Sequence, residues 1–256
     1  MNITPISKVT AVNFIQETHY SKVMPRINKV FIGGFVDNKL VAVMTLGYGT
    51  RPLHTLKIMF PTLEVSQYFE LGKLCVLDEM PRNTESTFIS KCIKYIKQHH
   101  PERKVLFSWA DGIIGKPGYV YQASNFYYGG KITTEMYIDS AGNRVHPRSF
   151  QGFSPGKKAE GTQYKSRSYE VTQAAGYTKY FGFQFRYIYP LCNEKEWKAL
   201  QATSPFPWQR QDYPKDASCA WFKQLEKGKR IECDMPSFSG TEYKKITKSI
   251  GDVFFS

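Results

Sequence analysis

Residues 107–130 read FSWADGIIGKPGYVYQASNFYYGG, and how this stretch folds decides the architecture. Lys104, Val105, Leu106 and Phe107 open it as a short buried strand, because a β-branched and aromatic run bounded by turn residues suits a covered sheet better than an exposed helix. Asp111 falls at the strand's exit. Gly112 and Gly115 then loosen the backbone, and Lys116-Pro117-Gly118 offers a proline at the first turn of a helix, where its missing N–H is no loss. That short helix carries Tyr119, Tyr121 and Gln122. In an open α/β sheet, ligands sit outside the carboxyl ends of the strands, so Ser108 and Asp111 stand where chemistry is expected. On the pattern alone, a plain connection whose polar groups cap a helix is an equally good reading.

Upstream, residues 2–7 suit a first strand, and Val9, Val12, Phe14 and Ile15 give 9–20 one apolar helical side. His19 and Tyr20 end that helix, where a lone histidine complements the negative end of the helix dipole. Residues 30–35 and 40–46 are apolar runs joined through Asp37-Asn38, the pattern of an antiparallel hairpin. Gly47, Gly49 and Pro52 end the second of these. Residues 70–77 (ELGKLCVL) give another covered strand. After a loop over 78–83, Phe88, Ile89, Cys92, Ile93 and Ile96 recur at helical spacing with Lys91, Lys94 and Lys97 on the other side, Asn83 being placed to cap. His99-His100-Pro101 closes this helix, because the residue before a proline is pushed out of helical geometry.

Downstream, 131–138 alternates as a strand. Residues 183–191 (FQFRYIYPL) are a strong strand that pairs with it as a closing hairpin. Between Gly142 and Arg186 lie eight basic residues (Arg144, Arg148, Lys157, Lys158, Lys165, Arg167, Lys179 and Arg186) against Glu160 and Glu170. Phe150, Phe153, Tyr164, Tyr169 and Tyr177 interleave with them. Cations that neutralise phosphates, beside rings on which bases stack, are what a nucleic-acid-binding insertion uses, although a solvated connection explains the glycines equally well. Beyond 193 a helical tail is expected: 194–200, a proline-and-tryptophan loop over 205–214, a second piece near 217–226 and a last one from Ser239, where Ser239-Gly240-Thr241-Glu242 fits a capping box. Trp197, Trp208 and Trp221 read as packing anchors. The expected division is a catalytic domain over 1–192, with the basic insertion at 142–182, and an extension over 193–256.

The 256 residues carry a net charge of +13 with 15% aromatic residues, which favours a polyanionic partner. Five dispersed cysteines, never spaced C-x-x-C, fit reduced thiols in a cytoplasmic compartment better than a disulfide framework or a zinc site. No apolar run approaches the length that spans a bilayer, so a soluble protein is expected. The sequence does not disclose an oligomeric state.

Three ordered motifs carry a resemblance: His19-Tyr20-Ser21; Glu70-Leu71 followed by Pro81-Arg82-Asn83-Thr84-Glu85-Ser86; and Ser108-Trp109-Ala110-Asp111 with the Gly115–Gly118 loop and Tyr121-Gln122-Ala123-Ser124-Asn125-Phe126. Over roughly residues 15 to 140 the chain resembles the Mom family of bacteriophage DNA-modification proteins. The resemblance implies a GNAT-like acyltransferase fold: an α/β (α+β) arrangement with a mixed, mostly antiparallel central sheet flanked by helices. It also implies a small carbamoylmethyl-type group placed on N6 of adenine in double-stranded DNA, which would protect phage DNA from restriction. The usual pyrophosphate signature of that fold, Q/R-x-x-G-x-G/A, is replaced here by Glu79-Met80-Pro81-Arg82-Asn83-Thr84, without glycine.

The adenine N6 amine is a poor nucleophile, and within a duplex the base is stacked, so the base must be exposed, aligned with the donor and relieved of a proton. On this reading Asp111 orients the amine or, with a raised pKa, accepts its proton. Tyr20 and Tyr121 position base or leaving group, and His19 joins them as a site candidate. Arg82, Asn83, Ser86 and Ser108 hold the donor, either acyl-CoA or another activated acyl or aminoacyl species. Arg144, Arg148, Lys157, Lys158, Lys165 and Arg167 contact DNA. An iron or other divalent ion at His19 is a further reading, weakened because one histidine is a poor cage. Two other classes compete: a GNAT N-acyltransferase acting on a small molecule or protein, and a non-catalytic DNA-binding protein.

Overall fold

The computed structural model describes residues 1–20, 24, 27–49, 52–145 and 169–239. The elements run β1 (Asn2–Pro5), α1 (Lys8–Thr18), β2 (Asn28–Val36), β3 (Lys39–Gly47), α2 (Pro52–Met59), β4 (Tyr68–Val76), α3 (Thr84–His99), β5 (Val105–Ala110), α4 (Tyr119–Ala123), β6 (Tyr127–Ile138), β7 (Arg144–Val145), α5 (Tyr169–Ala174), β8 (Thr178–Pro190), α6 (Glu194–Thr203), β9 (Trp221–Glu226) and β10 (Lys229–Cys233). The strands form one sheet in the order β1-β2-β3-β4-β5-β8-β6-β7, with β9 joined to β8 and β10 to β9.

The β2–β3 hairpin forms as its turn residues dictate. Asp37 and Asn38 both take positive φ, 48° and 63°, the conformation that a tight hairpin turn needs and that Asn and Asp tolerate. Phe88, Ile89, Cys92, Ile93 and Ile96 on α3 are all buried, while Lys91, Lys94 and Lys97 face out. Each large apolar side chain so buried contributes about 1.5–3 kcal/mol. Leu71, Leu106, Phe126, Phe185 and Tyr187 meet this side of α3 in the main core. Across the sheet, α2 and α6 pack Leu56, Phe60, Trp197 and Leu200 against Tyr68, Phe107 and Ile188. Ala11 and Ile15 of α1 cover Val43 and Cys75 there. The molecule is thus a sheet between two layers of helices.

Among the described residues all strand pairings are antiparallel except β4 with β5, whose register covers only Tyr68–Val105, Phe69–Leu106 and Glu70–Phe107. Beyond those pairs the two strands part. Each stays bound on its outer side, β4 to β3 as far as Val76 and β5 to β8 as far as Ala110, so the wedge between them is held open by the sheet itself.

Several expectations change. The Asn83 side chain makes no cap hydrogen bond to α3; the residue sits instead at φ 70° and turns the chain, which an asparagine can do without glycine. Pro117 precedes α4, whose N-cap is Gly118, so the proline lies outside the helix. Helix α2, over 52–59, was not anticipated. The helical piece expected near 217–226 is strand β9, which with β10 forms a hairpin on the edge of β8; the only helix of eight or more residues among the described part of the tail is α6. The last expected helix, from Ser239, lies outside the described residues after its first position.

Trp197 and Trp208 anchor the tail as expected, Trp208 stacking on Phe60 at 5.6 Å. At Gly129 in β6 an added Cβ would lie 2.0 Å from Trp208 Cζ3, so only glycine lets the two approach. Gly129→Ala is therefore expected to cost about 1–3 kcal/mol through overpacking. Thermal unfolding checks it, at roughly 2–4 °C per kcal/mol for a chain of this size.

Candidate active site

A cavity of about 880 Å³ fills the wedge between β4 and β5, within the range of small-molecule sites. Its wall brings together His19 and Tyr20 from the end of α1, Glu70 to Val76 of β4, Trp109 to Asp111 at the end of β5, the 115–118 loop, Tyr119 and Tyr121 of α4, Arg144 and Gln184. Asp111 thus borders a space large enough for a nucleobase.

Both oxygens of Asp111 are engaged. Tyr20 Oη donates to Oδ2 at 3.2 Å, and Gln184 Nε2 donates to Oδ1 at 2.8 Å. A turn at Gly112–Ile114 fixes the backbone behind it, with Ile114 N and Lys116 N donating to the Asp111 carbonyl at 3.0 and 3.2 Å. The Tyr20 ring stacks on His19 with centroids 4.3 Å apart, and Lys116 Nζ lies 3.8 Å from its centroid. Burial and the Asp111 carboxylate push the Tyr20 hydroxyl well above its ordinary range, so it stays a donor.

Ser108 is buried below the wedge. Its Oγ donates to Tyr121 Oη at 2.8 Å and lies 3.2 Å from the Leu71 carbonyl, linking the parted strands to α4. Tyr121 packs against Phe126 and Tyr187. Burial pushes its hydroxyl up to about 12, so it holds a proton at neutral pH.

The sequence reading placed Glu70 in a motif without giving it a role in the site, and passed over Lys73. The pairing of β4 with β3 shifts at Gly72, with Leu71 opposite Leu46 and Lys73 opposite Thr45. This bulge lets Glu70 and Lys73, three residues apart, line the same cavity. Burial raises the Glu70 carboxyl to about 7 and lowers the Lys73 ammonium to about 8, the latter partly offset by Asp111. The Glu70 carboxylate lies against Gly49, whose φ is +71° and where an added Cβ would come within 2.0 Å of Oε2. Two charges within a covered strand were the available signal.

Arg82 and Asn83 are exposed and Ser86 half-buried. None of the three lines the cavity, although Asp78 and Glu85 beside them do. Ser86 Oγ donates to the Asn83 carbonyl at 3.0 Å. Arg144 lines the cavity, whereas Arg148, Lys157, Lys158, Lys165 and Arg167 lie outside the described residues. Among the described residues no group of three or more His, Cys, Asp or Glu side chains could hold a metal ion.

A hairpin, a long helix ahead of β5, a single parallel pair that opens into a cleft and a closing antiparallel strand together define a GNAT-like mixed α/β fold. Within that class the chain belongs to the Mom protein family, whose model matches residues 1–215. The methylcarbamoylase Mom of Escherichia phage Mu is 34% identical over 137 residues, which are 54% of this chain and 56% of that protein, so the match spans little more than half of the relative. Among solved structures, an acetyltransferase of Bacillus subtilis in complex with CoA aligns with a TM-score of 0.40 at 12% identity, covering 75% of this chain and 99% of that one. A GNAT family N-acetyltransferase from Escherichia coli, also in complex with CoA, gives 0.40 at 7% identity over 79% and 86%.

Proposed function

We propose that this chain is a transferase that places a small acyl-derived, carbamoylmethyl-type group on N6 of adenine in DNA, protecting that DNA from restriction. The observation that carries the reading is the cavity in which His19, Tyr20, Asp111 and Tyr121, all from the family motifs, meet around one space. The name of the phage Mu relative, a methylcarbamoylase, supports the type of group transferred. A net charge of +13 and Arg144 on the cavity wall support a polyanionic substrate. In this reading Arg148, Lys157, Lys158, Lys165 and Arg167 extend the same contact. No helix among the described residues is long and apolar enough to cross a membrane, in keeping with work on DNA in the host cytoplasm.

The geometry divides the labour. Asp111, held from both sides by Tyr20 and Gln184, orients the exocyclic amine by accepting from it. As the bond from N6 to the donor carbon forms, the N6 proton passes to Glu70, whose raised pKa suits a base near neutral pH. As the bond from that carbon to the leaving group breaks, Tyr121, whose hydroxyl holds its proton at neutral pH, supplies a proton to the leaving atom.

An acyl-CoA-type donor fits the wedge, since beyond Glu70 the β5-facing edge of β4 has no strand partner among the described residues and presents backbone amide groups to a donor arm that carries amides. Leu71 to Cys75 would hold that arm, with Ser108 bracing the wedge from below and Arg82, Asn83 and Ser86 at the start of α3 beside Glu85, which lines the cavity. When bound, such a donor supplies an activated carbonyl or carbon for attack.

Plasmid DNA from cells expressing the chain is expected to resist endonucleases whose sites contain adenine while remaining sensitive to those with only G·C sites. Ordinary cleavage by every enzyme of a broad panel would contradict the reading.

A further inference from the structure

The cavity is walled by several aromatic rings, and most are already in use. The Tyr20 ring is taken by His19 and Lys116. Tyr121 is buried against Phe126 and Tyr187. Trp109 meets Phe107 edge-on at 5.1 Å, with the Arg186 guanidinium 5.4 Å from its centroid. Tyr119 differs. It lines the cavity, keeps 48% of its surface exposed and has no aromatic neighbour among the described residues. Its ring is nevertheless fixed, because Tyr119 Oη donates to Asp216 Oδ1 at 3.0 Å, across to the tail. Lys215 Nζ stands 5.7 Å from the ring centroid and 3.3 Å from Gln122 Oε1, and Lys116 lines the same wall.

A tethered ring with free surface beside the Lys215 ammonium, with the Lys116 ammonium further along the cavity wall over the Tyr20 ring, has the chemistry of a nucleotide subsite: a flat heterocycle stacks on the ring while the cations meet its phosphate. We propose that Tyr119 is a stacking wall for a purine nucleotide at the mouth of the cavity, with Lys215 and Lys116 as its phosphate contacts. The inference rests on the DNA-modification reading. The purine comes from one of two sources, the DNA being modified or the nucleotide end of the donor. The tether to Asp216 also gives the tail a purpose in binding, since 215–216 belong to the segment that follows α6.

The test uses the full chain and two probes: a short single-stranded oligonucleotide containing 2-aminopurine, followed by its fluorescence quenching, and coenzyme A, followed by calorimetry. Tyr119→Ala is expected to weaken one probe by about 5- to 150-fold, the range of a single base–aromatic stack. Tyr119→Phe, which keeps the ring, is expected to stay within about threefold of wild type. A loss confined to the oligonucleotide assigns the purine to DNA, and a loss confined to coenzyme A assigns it to the donor. Unchanged affinity of Tyr119→Ala for both probes, or an equal loss in Tyr119→Phe, overturns the inference. If cells expressing the wild type still carry modified DNA, the failure belongs to this subsite alone; if they do not, the functional reading fails whatever Tyr119 binds.

Discussion

Asp111→Asn is expected to lower the yield of modified deoxyadenosine by roughly 10²-fold, the usual worth of holding a reacting group in line. The asparagine side chain keeps the size of aspartate, and its carbonyl still accepts from one of the two donors, Tyr20 or Gln184. The other acceptor becomes an amide N–H₂ and the negative charge is gone, so the side chain no longer draws the amine into line, and the fold is expected to survive while the reaction suffers. Circular dichroism and thermal unfolding near wild type, together with lost modification, would place the effect in the chemistry. Modification at the wild-type level would remove Asp111 from the site.

Glu70→Gln is expected to cost about 10²–10³-fold and, more tellingly, to change the pH dependence. With the carboxyl at about 7, wild-type activity rises as pH increases through neutrality, because the ionised form is the base. The glutamine variant should lose that step. The stability consequence runs the other way. A carboxyl whose folded pKa is raised above the unfolded value favours folding below the unfolded pKa, and that contribution is lost as pH rises through about 7. Removing the charge therefore stabilises the protein at pH 8, by at most about 3 kcal/mol. A variant that is both slower and harder to unfold at pH 8 identifies a functional group kept at a cost. A variant with an unaltered pH profile would show that Glu70 does not take the proton.

Much of the frame was legible because local rules suffice for it. The Asp37-Asn38 turn sets the β2–β3 hairpin, and the apolar stripe of α3 needs only a 3.6-residue period. The placing of Asp111 at the end of β5 followed from the turn residues after it, and the two strands flanking a polar insertion do pair, although β8 begins at Thr178, inside the expected insertion, so that 131–138 meets 178–185. The wedge was not legible. It exists because β8 returns between β5 and β6 and holds β5 away from β4, a long-range arrangement that no window of sequence contains. Lys73, and the part that Glu70 plays, stayed hidden for the same reason, since a bulge at Gly72 and a parted neighbour turn a covered strand into a cavity wall.

The tail was misread on propensity. Trp221 to Glu226 contains good helix formers, but Lys227-Gly228, with Gly228 at φ 78°, is a hairpin turn, and the free edge of β8 supplies the pairing that decides for strand. Tertiary pairing overrides weak local preference in this way for short segments. Arg82, Asn83 and Ser86 were read from a motif, and a motif does not tell which side of a turn faces the ligand; Glu85, between them, is the one that lines the cavity.

The most direct measurement is mass spectrometry of nucleosides digested from the DNA of cells expressing the chain. A deoxyadenosine species of increased mass, with the added mass retained on the base fragment and absent in Asp111→Asn, is the expected result. Unmodified nucleosides, or added mass on a base other than adenine, would contradict the assignment of this cavity to adenine modification.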